Sequence, residues 1–146
     1  MITARRVVVV SLLLILCVAY KMADGSPAPA CTPPPRAATV PFKEVPSILL
    51  DALKDHLGEI AAPGGRFNAG DADVVLFGSP SHSRFIFFWR AGERWVVATE
   101  HSSRSYYNRI FLYDLGDDER KAALIAEKAE SPATACAVAS DLTASP

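Results

Sequence analysis

An α+β domain, built on a four-stranded antiparallel β-meander with one helix before the sheet and one after it, is the fold class this sequence predicts. Three observations carry that expectation. Runs of β-branched and aromatic residues alternate with short polar breaks through the middle of the chain. Apolar residues recur at three- and four-residue intervals on either side of them. The breaks between successive strands are too short for the crossovers that parallel pairing requires. The chain has 146 residues, half of them apolar, enough for one domain of about 100 residues once the N-terminal segment is set aside.

Residues 1–30 are expected to be a signal peptide or, if uncleaved, an N-terminal membrane anchor. Arg5 and Arg6 precede an apolar run over 7–20 that only Ser11 interrupts. Fourteen residues match the apolar region of a secretory signal and fall short of the roughly 20 that span a bilayer. Small residues offer cleavage after Gly25 or after Ala30. A lipoprotein signal at Cys17 fits less well, because Leu16 stands where a small residue is wanted. Residues 31–45, with Pro33, Pro34, Pro35 and Pro41, have the composition of an extended Pro-rich linker. The single α+β domain is then expected over 46–132, with a low-charge tail over 133–146.

The first helix is expected from Ser47, a candidate N-cap, with Leu49, Ala52, Leu53 and Leu57 as its apolar stripe and Gly58 as its stop. Pro63, Gly64 and Gly65 break the chain, and residues 73–77 form the first expected strand, ending at Gly78, Ser79 and Pro80. The central hairpin spans 85–101, and two registers are open to it. A three-residue loop, Arg90-Ala91-Gly92, opposes Phe87 to Trp95 and gathers both tryptophans on one face. A two-residue loop, Ala91-Gly92, pairs Phe88 with Trp95 and His82 with His101. The first is preferred, because alanine is a poor residue for the positive φ of a primed turn. A fourth strand is expected over 109–113, beginning as early as Tyr106. A second helix is expected from Gly116, with acidic residues in its first turn and Ala122, Ile125, Ala126 and Ala129 as its stripe, ending at Ser131-Pro132.

Charge narrows the partners. From Cys31 onward the chain carries 12 basic and 15 acidic side chains, with no basic run to neutralise phosphates, so no nucleic-acid partner is expected. Membrane contact is expected only through the N-terminal segment, if it is retained. With Cys17 inside that segment, Cys31 and Cys136 remain as an even pair in an exported chain, which makes them a disulfide candidate. The expected location is periplasmic or secreted.

Nine of the thirteen aromatic residues lie between Phe85 and Tyr113. If both helices cover one sheet face, the other presents Phe85, Phe87, Trp89, Trp95 and His101, and that face is the expected binding surface. What would meet it is the linker folding back, a second copy of the chain, or a ligand. The expected function is therefore a small exported, non-enzymatic binding or interaction module that takes a protein or a small apolar ligand. A homodimer with the aromatic face as its interface is one alternative. The other is a hydrolase centred on His101 with Ser103 and Asp114, although no G-x-S-x-G pattern supports a nucleophile. Zinc held by His82 and His101 would need a third ligand and the second register. No cofactor or metal site is expected, and Arg84 with Glu100 is expected to form a cross-strand contact.

Overall fold

The computed structural model describes residues 30–68, 80–102, 105–116 and 120–144. The N-terminal apolar run, the expected strand over 73–77 and Ser103 lie outside them. In chain order the elements are β1 (Ala38–Thr39), a 3-10 turn (Phe42–Glu44), α1 (Ser47–Leu57), β2 (Ile60–Ala61), β3 (Ser83–Ala91), β4 (Arg94–Ser102), β5 (Tyr106–Asp114), β6 (Ala123–Glu130) and α2 (Ala135–Ala144). One six-stranded sheet runs β1-β3-β4-β5-β6, and β2 pairs with β3 in parallel beside β1's position on the same edge. The α+β class and the antiparallel sheet are as expected. The strand count is not.

The four long strands β3 to β6 form an antiparallel meander, but its last strand occupies the segment expected to be a helix. Residues 123–130 are strong helix formers with a three- and four-residue apolar spacing. Tertiary context overrides that propensity, because without β6 the far edge of β5 would present a row of unpaired backbone groups.

The hairpin adopts neither expected register. Ala91 pairs with Arg94, Trp89 with Val96 and Phe88 with Val97, so the loop is Gly92-Glu93. Gly92 has φ of 65° and sits first in the loop, where a primed turn needs positive φ, whereas both expected registers placed it last. Relative to the preferred three-residue loop this reverses which side chains share a face near the turn, whereas the Ala91-Gly92 register already separates the two tryptophans. A bulge between Phe85 and Phe87 reverses them once more along β3. Trp95 therefore lies on one sheet face with Phe85, Phe88 and Val97, and Trp89 lies on the other with Phe87, Val96 and Ala98.

Each face has its own helix. Leu49 and Leu53 of α1 pack with Trp95, Phe88 and Phe111. Their spacing is the stripe read from the sequence, and Gly58, with φ of 77°, caps the helix as expected. The cap at the other end is Pro46 rather than Ser47. The second face is covered by α2, through Ala135 and Ala139 on Trp89, Val96, Ile110 and Leu112. The expectation of two helices on one face fails because residues 123–130 of the expected second helix are β6, and the second helix is instead the segment taken for a loose tail.

The Pro-rich segment is docked rather than free. Ala38 and Thr39 pair with Arg90 and Trp89, the Val40 N–H donates to the Phe88 carbonyl at 2.9 Å, and Val45 is buried in the α1-side core. Cys31 and Cys136 form a disulfide with a Cα–Cα distance of 5.4 Å. Among the described residues no helix is long and apolar enough to cross a membrane.

Candidate functional site: the polar end of the sheet

The aromatic face expected to be open is closed on both sides. Trp89 and Trp95 are each 1% exposed, and Phe85 is buried with them. Phe87 is half-buried and stacks on Trp89 with ring centroids 4.4 Å apart. These side chains are core, so the surface they were expected to form does not exist. His101 belongs to a different environment, at the end of the sheet where β3 begins and β4 ends.

That end is polar because the apolar alternation stops there. On the α1 side, register places Ser83, His101 and Tyr107 in one cross-strand row. Ser83 Oγ lies 2.6 Å from His101 Nδ1, and the Tyr107 ring is 5.1 Å from the imidazole. Burial first, then the positive charge of Arg109 and of His82, pushes the His101 pKa below its ordinary value. The shift favours the neutral imidazole, whose Nδ1 accepts from the Ser83 hydroxyl in the tautomer that carries its proton on Nε2. His82 is turned elsewhere, its Nδ1 being 3.1 Å from the Ser102 carbonyl.

A second row crosses four strands on the α2 side: Arg84, Glu100, Asn108 and Glu130. The Arg84–Glu100 contact expected from the sequence is present, as a buried ion pair. Arg84 Nη1 also donates to the Gly65 carbonyl at 2.9 Å, and its guanidinium lies 4.3 Å from the centre of the Phe67 ring. The Tyr106 hydroxyl donates to Glu100 Oε2 at 2.5 Å. Its pKa is pushed up to about 12, by burial first and then by the hydrogen bond to Glu100 and that carboxylate's charge. Tyr106 nonetheless leaves 46% of its surface in solvent. Asn108, wholly buried, has no partner among the described residues for either side-chain amide atom.

Two further clusters lie outside this end. Glu127 of β6 accepts from Arg109 Nε at 2.7 Å and lies 2.8 Å from His56 Nε2 of α1, tying the helix to the sheet. A cleft of about 530 Å³ opens beside the hairpin turn, between Arg36, Glu93, Arg94, Asp114 and Thr143.

The hydrolase constellation is not assembled. Asp114 pairs with Arg94 while His101 pairs with Tyr107, so seven residues of strand, about 23 Å, separate the carboxylate from the imidazole. The charges acting on His101 are cationic, and Ser83, its hydroxyl partner, is 2% exposed. Among the described residues no group of three His, Cys, Asp or Glu side chains could hold a metal ion. Tyr106, Asn108, His56, Arg109 and Glu127 were missed in the sequence. Tyr106 was legible only as the start of a strand. The His56–Arg109–Glu127 cluster could not be found while residues 123–130 were taken for a helix.

An α+β protein with an antiparallel sheet, a helix on each face and a polar end is thus the class these features define. No family model matches the chain, and no curated protein or solved structure matches it significantly.

Proposed function

We propose that this chain is a small exported, non-enzymatic binding module of the extracytoplasmic space, which engages a protein or a small polar ligand through the polar end of its sheet. The observation that carries this reading is Tyr106, a half-exposed aromatic ring whose hydroxyl is fixed on the buried Glu100–Arg84 pair. A ring already held in place loses little conformational freedom on contact, and tyrosine is enriched among binding hot spots for that reason. His101 and Tyr107 stand on the opposite side of the same end. The disulfide and the apolar leader support export, since structural disulfides persist in oxidising compartments.

A photo-crosslinking phenylalanine analogue at exposed Ser105, beside Tyr106, tests the surface in the native cell. A discrete adduct in the extracytoplasmic fraction, weakened by Tyr106→Phe and missing when the probe is at Ile125, is the expected result. An adduct formed equally from both positions overturns it.

One observation favours the hydrolase alternative, the 2.6 Å contact of Ser83 with His101. Labelling by a fluorophosphonate that disappears in Ser83→Ala would establish it. The burial of Ser83 and the cationic surroundings of His101 lead us to expect no labelling.

A further inference from the structure

The sheet face that carries Trp89 is closed by two pieces of chain, each a weak cover by itself. One is α2, ten residues of which four are alanine, with only Ala135 and Ala139 buried and Val138 and Leu142 partly so. Helices this short are marginal without tertiary support. The Ser140 and Thr143 hydroxyls donate back to the carbonyls of Cys136 and Ala139, a pattern that weakens helices slightly further. The other cover is the segment 31–37, whose Cys31 and Ala37 pack against the same cluster and which has no strand pairing until Ala38. The opposite face differs. There Leu49 and Leu53 of α1 are fully buried on Trp95 and its neighbours, and no cysteine is involved.

The Cys31–Cys136 bond joins the two weak covers, at the start of one and in the first turn of the other. We infer that it is a redox-sensitive clasp: its reduction frees α2 and the segment 31–37 from the sheet and uncovers the Trp89 face, while the α1 face with Trp95 stays closed. The exchange is with a dithiol reductant. One reductant thiolate attacks a sulfur of the pair and displaces the other as thiolate, giving a mixed disulfide. The reductant's second thiol then closes its own disulfide, so that two electrons and two protons end on the Cys31 and Cys136 thiols. The apolar patch of Trp89, Phe87, Val96, Ile110 and Leu112 is presented only in the reduced form. An oxidising compartment holds the chain covered, and a reducing one holds it open. This goes beyond the binding surface at the polar end and does not depend on it.

The two tryptophans, one on each face, report the two covers separately. In the full chain, Trp95→Phe leaves Trp89 as the only indole, and Trp89→Phe leaves Trp95. Addition of dithiothreitol is expected to raise acrylamide quenching of Trp89 several-fold with a red shift of its emission, and to leave Trp95 shielded. Cys31→Ser with Cys136→Ser reproduces the open state without reductant. Amide hydrogen exchange on the unsubstituted chain checks this independently of the tryptophan changes: amides of Ala135–Ala144 lose protection on reduction, while those of β4 and β5 keep theirs. Trp89 remaining shielded after complete reduction overturns the clasp. So does simultaneous exposure of both tryptophans, which would mean that the bond holds the whole fold rather than one face.

Discussion

Burial alone would push the Glu127 carboxyl up, yet hydrogen bonds from Arg109 and His56 outweigh it and hold the group below its ordinary value of 4.5. A depressed folded-state pKa contributes stability that is present above the unfolded value and is lost as pH falls through the folded one. The native chain should therefore lose this contribution from about pH 4.5 downward. Glu127→Gln should be less stable at neutral pH but should show a shallower fall of its urea midpoint between about pH 5 and 3. Parallel curves for the two proteins would show that the cluster carries no linkage. Asn108 predicts the opposite sign for a substitution. Its amide is buried without a partner among the described residues, and an unsatisfied buried polar group costs about 1 to 3 kcal/mol. Asn108→Leu, close in volume, should raise the melting temperature in a thermal scan, and a fall of several degrees would refute the cost assigned to that amide. Glu100 is the contrasting neighbour, because its removal strands a buried guanidinium. Glu100→Ala should destabilise by about 3 to 5 kcal/mol in urea unfolding.

At the scale of elements, the hairpin turns on Gly92. An added Cβ there would meet open space, so the cost of replacing it is backbone strain, not collision. The left-handed conformation costs a β-branched residue about 1 to 2 kcal/mol, which Gly92→Val should show in urea unfolding and Gly92→Asn should largely escape. The same turn shows where sequence reading stops. That two strands meet near Gly92 follows from aromatic and β-branched runs on either side of it. Which residue opens the loop and how long the loop is do not, and a two-residue loop in place of the preferred three-residue one sends Trp89 and Trp95 to different faces. The α1 stripe was legible because Leu49 and Leu53 recur at helical spacing and bury large side chains. β6 was not, since Ala, Glu and Lys at helical spacing describe a helix until β5 is seen to need a partner. α2 was hidden for a related reason: alanines around Cys136 give no stripe that distinguishes a docked helix from a loose tail. The Arg84–Glu100 contact was legible from opposite charges near the open end of the hairpin, although neither expected register set the two residues directly opposite; the observed register and its bulge do. The tyrosine seated on it depended on β5 starting at Tyr106.

For the molecule as a whole, the disulfide decides how much of the chain unfolds as one unit. Its two cysteines are 105 residues apart, and closing a loop of that length removes about 4 to 5 kcal/mol of unfolded-state entropy in the chain-entropy model. Domains of this size are stable by only about 5 to 15 kcal/mol, so the bond is a large share of the total, and the α1-side core of Leu49, Leu53, Trp95 and Phe111 must carry the rest. Replacing Cys31 and Cys136 by serine should lower the free energy of unfolding by about 2 to 5 kcal/mol. The slope of that free energy against urea separates two ways of losing it. If the bond acts only on the unfolded chain, the native state is unchanged, and the slope stays the same or rises as the freed chain expands. If α2 and the segment 31–37 leave the sheet once the bond is cut, the native state already exposes Trp89 and Ile110, and less surface remains to be exposed on unfolding. The slope should then fall together with the midpoint, because it scales with the area uncovered. Urea titration of the double serine variant beside the oxidised chain should show both falling.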